Sequence, residues 1–339
     1  MKCKFCGADI PENSKFCLEC GSKVETPDAE NRPQRKKPMH SACGNNQTCG
    51  GRSDIVIRNG FVYRIIRGKD QAEITVTPVS DEDKTQVLYY IKGKDADLSC
   101  INMVEDELIF SEKAEEEGIT ALDVYSGDKR QIITGYRPEA MWIENEIITF
   151  VQNEKLYSLH YRGGDFFEYN LDFPLADRLI GYGGRLYTCL ADTGEAVELS
   201  PYETEVRPMG FEAGEDMIYA IIGCLYYSPV NDANGSVIMC RNIESLEVRN
   251  GIQDTDRLLT AFEQYVLFNK AGEPEWSFLW NIQTLRVYKL NRRVDLHPYS
   301  FSQALSDYIF LENEGNLYKV PAPVFFQGDE DIFVDKFLF

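Results

Sequence analysis

Met103-Val-Glu-Asp-Glu-Leu-Ile-Phe110 and Met141-Trp-Ile-Glu-Asn-Glu-Ile-Ile-Thr-Phe150 state one phrase twice: a methionine, an acidic or polar pair, then an aliphatic run closed by phenylalanine. Runs of the same kind recur as GFVYRII around Tyr63, GRLYTC around Tyr187, GCLYYS around Tyr226, QYVLFN around Leu267 and DYIFLE around Phe310. Taken with Ile109 and Ile148 at the centres of the first two, the successive intervals are 46, 39, 39, 39, 41 and 43 residues. A spacing this regular marks an internal repeat, which decides the architecture before any single motif does.

Each run is followed, across a polar turn, by a second strand-like run such as 156–161, 196–199 or 317–320. Asn59-Gly60, Ser126-Gly127, Gly163-Gly164, Thr193-Gly194, Asn234-Gly235 and Glu314-Gly315 punctuate these pairs with hairpin chemistry. Helical periodicity is weak throughout, so residues 54–339 read as all-β. Repeats of about 40 residues built from short antiparallel strands are the signature of a β-propeller, in which each blade buries its faces against its neighbours. The 19 Tyr and 19 Phe supply the large side chains such packing needs. Seven strand starts favour seven blades, and a first unit closing onto the last gives six.

The amino terminus is of another kind. Cys3-Lys-Phe-Cys6-Gly7 and Cys17-Leu-Glu-Cys20-Gly21 are two CxxCG units. Zinc takes four thiolates in a tetrahedron, and a two-residue gap lets both sulfurs of one turn reach one ion. Gly7 and Gly21 permit the tight bend that turns amide N–H groups towards the sulfurs. The expected ligands are Cys3, Cys6, Cys17 and Cys20 around one structural Zn²⁺, with Lys4 and Lys15 placed to offset the net −2 charge. Four sulfurs leave no open position for catalysis. Phe5, Ile10, Pro11 and Phe16 are too few for a core, so the metal must supply the folding free energy of residues 1–24.

Residues 25–53 are rich in Pro, Asn, Gln, Arg, Lys and Gly and read as a flexible linker. His40, Cys43 and Cys49 within it are candidate ligands for a second metal, but three ligands at loose spacing fit an ordinary linker better. Charge divides along the same boundaries. Residues 1–24 carry four lysines against three acids, and 25–53 five basic residues against three acids; the remaining 26 basic and 49 acidic residues leave 54–339 at −23. A body so acidic argues against nucleic acid or anionic lipid as its partner. No stretch approaches the ~18 apolar residues of a membrane span, and Met1-Lys2-Cys3 runs into ligand spacing where a leader would have an apolar stretch. The expected compartment is the cytoplasm, where paired CxxC sequences stay reduced and bind metal.

The pattern CxFCGxxIPxxxxFCxxCG resembles the short zinc ribbon at the N-terminus of many bacterial proteins. There a membrane helix often follows, and this sequence has none. The [EDN]-E-[LI]-I runs and Leu-Tyr starts resemble the low-density-lipoprotein-receptor-like propeller domains of unknown function found in bacterial proteins. That resemblance implies a fold over 54–339 and carries no functional residue with it.

Catalytic and cofactor-binding residues are not expected anywhere. Cys100, Cys189, Cys224 and Cys240 sit in apolar strands at no ligand spacing and read as small buried hydrophobes. His160 and His297 have no nucleophile motif beside them, and neither a GxSxG elbow nor a phosphate loop is present. These observations favour a non-enzymatic protein-interaction module, in which a ribbon is tethered to a propeller that presents a partner-binding face. The alternative is an enzyme or small-ligand sensor with its site on the propeller axis, which a funnel lined by His160 or His297 would support.

Overall fold

The computed structural model describes residues 54–138, 140–175, 179–200, 203–213, 218–229, 237–296, 302–305, 308–313, 316–321 and 335–337. Among these there is no helix, and the strands form seven four-stranded antiparallel sheets, each a meander in chain order. Blade 1 is β1 (Ile55–Arg58), β2 (Phe61–Arg67), β3 (Gln71–Pro78) and β4 (Gln86–Lys92). Blade 2 is β5 (Asp97–Val104), β6 (Glu107–Lys113), β7 (Glu117–Asp123) and β8 (Lys129–Thr134). Blade 3 is β9 (Ala140–Glu144), β10 (Ile147–Gln152), β11 (Lys155–His160) and the short β12 (Phe167–Glu168). Blade 4 is β13 (Ile180–Tyr182), β14 (Arg185–Cys189), β15 (Glu195–Leu199) and β16 (Val206–Glu212). Blade 5 is β17 (Tyr219–Ile221), β18 (Cys224–Tyr227), β19 (Val237–Asn242) and β20 (Val248–Gln253). Blade 6 is β21 (Thr255–Phe262), β22 (Tyr265–Lys270), β23 (Ser277–Asn281) and β24 (Arg286–Lys289). Blade 7 is β25 (Ser302–Leu305), β26 (Tyr308–Asn313), β27 (Asn316–Pro321) and β28 (Asp335–Phe337).

All seven repeated runs fall on the second strand of a blade: β2, β6, β10, β14, β18, β22 and β26. That strand is flanked on both edges and covered on both faces. Ile109, Ile148, Leu267 and Phe310 are therefore almost wholly inaccessible, and the sequence shows an unbroken apolar run where a half-exposed strand would alternate. Outer strands do alternate, as β8 does with no buried residue. The first strands of consecutive blades are neighbours from β1 through β25. The ring closes where Ile55, Ile57 and Val62 of blade 1 pack on Phe310 and Leu317 of blade 7. The end blades exchange no strand, so among the described residues this closure rests on side chains alone.

Polar ties cross several seams. Buried Glu112 accepts from Tyr89 at 2.8 Å and Thr120 at 2.7 Å, and Lys129 pairs with it at 2.6 Å, joining blades 1 and 2. Arg67 grips Asp54 and, at 2.7 Å, Asp97, while Arg137 holds the other oxygen of Asp97. Between blades 3 and 4, Gly181 admits the Trp142 indole: a Cβ there would lie 2.0 Å from Nε1.

Two-residue turns join first to second strand in blades 1 to 6, because the pairings Arg58↔Phe61, Val104↔Glu107, Glu144↔Ile147, Tyr182↔Arg185, Ile221↔Cys224 and Phe262↔Tyr265 leave two residues between partners. Asn59-Gly60 (φ 54° and 80°) has the residues this turn favours. Ile222-Gly223 does not: Ile222 is β-branched, 43% exposed and held at φ 45°. A left-handed conformation costs such a residue roughly 1–2 kcal/mol, and its exposed side chain recovers little by burial. Ile222→Asn is expected to stabilise the protein by about 1 kcal/mol, read as a higher urea midpoint at unchanged slope.

Candidate functional site

Cys3, Cys6, Cys17 and Cys20 lie outside the described residues, as do His40, Cys43, Cys49 and His297. His160 closes β11. Its Nδ1 accepts from the Arg162 N–H at 3.1 Å, and its Nε2 is 3.3 Å from a Glu146 carboxylate oxygen. The ring is thus spent on orienting a turn, and no nucleophile is among its hydrogen-bond partners. Among the described residues no group of three or more His, Cys, Asp or Glu side chains can hold a metal.

The four body cysteines are free thiols, with Cys100, Cys224 and Cys240 buried and Cys189 half-buried. Cys224 pairs with Asn242 and Cys240 with Tyr226, which sets the two thiols diagonally on one face of blade 5. Burial pushes the Cys240 thiol up to about 11, so its nucleophilic thiolate is scarce at neutral pH. Alkylation of the native protein with iodoacetamide should therefore modify Cys189 ahead of Cys100, Cys224 and Cys240, which react only after unfolding. Peptide mass mapping reads the order.

Strand periodicity did not reveal the groove between blades 4 and 5. It has a volume of about 610 Å³ and is lined by Glu195, Gly210, Phe211, Glu212, Tyr227, Pro229, Met239 and Arg241. A bulge builds it. Pairing between β15 and β16 slips between Glu195 and Val197, and Gly210 takes φ 70° in the displaced segment. Ala213 then bridges to Pro229, tying the end of blade 4 to blade 5. On the floor, Phe211 stacks on Tyr227 with centroids 4.0 Å apart and planes at 22°. The Arg241 guanidinium lies 5.2 Å from the Phe211 centroid, donates from Nε to the Tyr227 hydroxyl at 2.7 Å, and donates to the Leu246 carbonyl at 3.1 Å. Cation–π contact and two hydrogen bonds hold the guanidinium in place and leave part of its donor set to the groove.

On the rim, Glu195 and Glu212 are cross-strand partners in the β15–β16 pairing. Two carboxylates directly opposite one another repel and destabilise the sheet. Neither has an ion-pair partner among the described residues. The groove thus sets an acidic pair and the Arg241 guanidinium beside an apolar wall of Pro229 and Met239.

Residues 2–24 match the zinc-ribbon domain. The chain therefore carries a zinc ribbon at its amino terminus, ahead of the propeller. No curated protein matches the chain in sequence. Solved structures share its fold at low identity. An uncharacterized protein of Listeria monocytogenes EGD-e aligns with TM-score 0.57 and 8% identity over 80% of this chain and 92% of its own. Hsv2 of Kluyveromyces lactis aligns with TM-score 0.55 and 9% identity over 87% of this chain and 98% of its own. YCF48 bound to D1 peptide aligns with TM-score 0.50 and 11% identity over 78% and 97%. At such identities the likeness is one of fold, and the neighbours are propeller-like. No described helix is long and apolar enough to cross a membrane.

Proposed function

We propose that this protein is a non-enzymatic interaction module: a structural zinc ribbon (1–24) tethered by a linker (25–53) to an acidic, low-density-lipoprotein-receptor-like propeller (54–339) that presents a partner-binding groove. One zinc ion is held by Cys3, Cys6, Cys17 and Cys20, a thiolate set suited to the reducing cytoplasm. The opposed Glu195–Glu212 pair carries the functional reading. A cation laid between the two carboxylates would offset the like charges that the pairing sets opposite one another. An open groove of this size suits an extended protein segment that sets a basic side chain on the carboxylates and an apolar one on Met239 and Pro229.

Photo-crosslinking tests this directly. With p-benzoylphenylalanine at Met239, a discrete adduct is expected in cells, weakened when Glu195 and Glu212 are both changed to Gln. The same double change should stabilise the free protein by about 0.2–1 kcal/mol, because the repulsion is gone. Labelling at Met239 no stronger than at Val287 on blade 6 would remove the groove from consideration.

A further inference from the structure

A basic side chain on Glu195 and Glu212 and an apolar one against Met239 and Pro229 leave a charged group of the groove without a counterpart. Arg241 lies in β19, on the wall that blade 5 gives to the groove. Its Nε–H is spent on the Tyr227 hydroxyl and one Nη1–H on the Leu246 carbonyl, so three of the five N–H donors of a guanidinium stay unspent. Among the described residues no carboxylate forms an ion pair with it, neither Glu195 and Glu212 nor Glu244 and Glu247 of the turn that follows β19. A chain with 55 acidic residues against 35 basic ones thus keeps this guanidinium apart from its own carboxylates.

The guanidinium is also held still. The Phe211 ring, 5.2 Å away at its centroid, itself stacks on Tyr227 at 4.0 Å. A cation fixed by its neighbours before a ligand arrives loses little side-chain freedom on binding. A planar guanidinium with donors free on two nitrogens matches a carboxylate, and charge-assisted hydrogen bonds of that kind are roughly twice as strong as those to a neutral carbonyl.

Strand register says where the carboxylate sits in the ligand. Met239 pairs with Tyr227 and Arg241 with Leu225, so Cys240 alone separates them. Both line the groove, while Cys240 is buried on the opposite face. Same-face side chains of an extended chain recur every second residue, about 6.6 Å apart. A segment lying extended along β19 shares that repeat, and with an apolar side chain on Met239 its next same-face side chain falls on Arg241. We infer that Arg241 is a specificity-determining residue of the groove, which takes a protein segment bearing an aspartate or glutamate two residues from the apolar side chain placed on Met239. This rests on the reading of the groove as a partner-binding site. With the basic side chain on Glu195 and Glu212, the segment carries one charge of each sign there, and the −20 of the chain does not repel it as it would a purely acidic ligand.

Random linear peptides displayed on phage and selected on the zinc-loaded full chain test the assignment. Peptides that bind the wild type and are lost when Glu195 and Glu212 are both changed to Gln are groove ligands. Besides a basic residue, they should carry an acidic residue two positions from an apolar one. In a synthetic copy of such a peptide, exchanging the acid for its amide should weaken binding to the wild type about tenfold by calorimetry, the effect of losing one hydrogen bond to a charged group. Against Arg241→Gln the same exchange should cost nothing, whereas a variant that only disturbed the fold would weaken both peptides alike. Arg241→Lys keeps the charge and loses the fixed fork, and should narrow the difference even where the glutamine variant proves unstable. Groove ligands without that acid, or an exchange as costly in both Arg241 variants as in the wild type, overturn the inference and leave the groove reading standing. A library that yields no peptide dependent on the two glutamates removes both.

Discussion

Replacing Phe310 with alanine is expected to cost the propeller about 3–5 kcal/mol of stability, the range for deleting a fully buried aromatic side chain. Phe310 is wholly inaccessible and is the largest member of the small cluster that joins blade 7 to blade 1, with Ile55, Ile57, Val62 and Leu317. At the seam between blades 1 and 2 a much broader set of aliphatic and aromatic side chains interdigitates, backed by the Glu112 network. Among the described residues, the closing seam has no strand contributed by the opposite end of the chain to hold it. Loss of Phe310 should therefore open the ring as well as weaken it. Urea unfolding followed by tryptophan fluorescence measures the cost, and hydrogen exchange at β1 and β26 should accelerate more than at β10 or β22. A loss below about 1 kcal/mol, or uniform acceleration in all blades, would show that closure does not depend on this cluster.

Removing zinc should have the largest effect of any single change, and it should be confined to the amino terminus. Residues 1–24 have too little apolar surface to fold alone, and structural zinc in four-ligand sites is worth on the order of 10–16 kcal/mol at neutral pH. A chelator is expected to release one ion per chain and to render the bonds after Lys15 and Lys23 sensitive to trypsin, leaving the propeller's urea midpoint unchanged. Cys17→Ser should do the same without chelator. Because the ligands are thiolates, protons compete with the metal, so zinc should leave as pH falls. Native mass spectrometry showing no stoichiometric zinc, or full zinc in Cys17→Ser, would contradict the ligand assignment.

The second strands of the blades were legible in the sequence for a physical reason. A strand covered on both faces and both edges tolerates little but aliphatic and aromatic residues, so β2, β6, β10, β14, β18, β22 and β26 repeat visibly. First strands were harder to read, since β13 and β17 have three residues each, too few for a period to register. The turns before the second strands were concealed by composition. Asn59-Gly60 announces itself, whereas Glu105, Asn145, Ile222 and Glu263 take positive φ without a glycine in that position. Thr193-Gly194 and Ser126-Gly127, in contrast, mark later turns of their blades.

Cysteine spacing and repeat period together determine that the chain joins a zinc ribbon to an all-β repeat body, because ligand reach and face burial act over a few neighbouring residues. The groove and the side-chain closure of the ring were decided only by tertiary structure. Glu195, Glu212, Tyr227 and Arg241 come from four strands of two blades. What brings the first two opposite each other is a bulge in the pairing, and strand register is a relation between segments that no local pattern records.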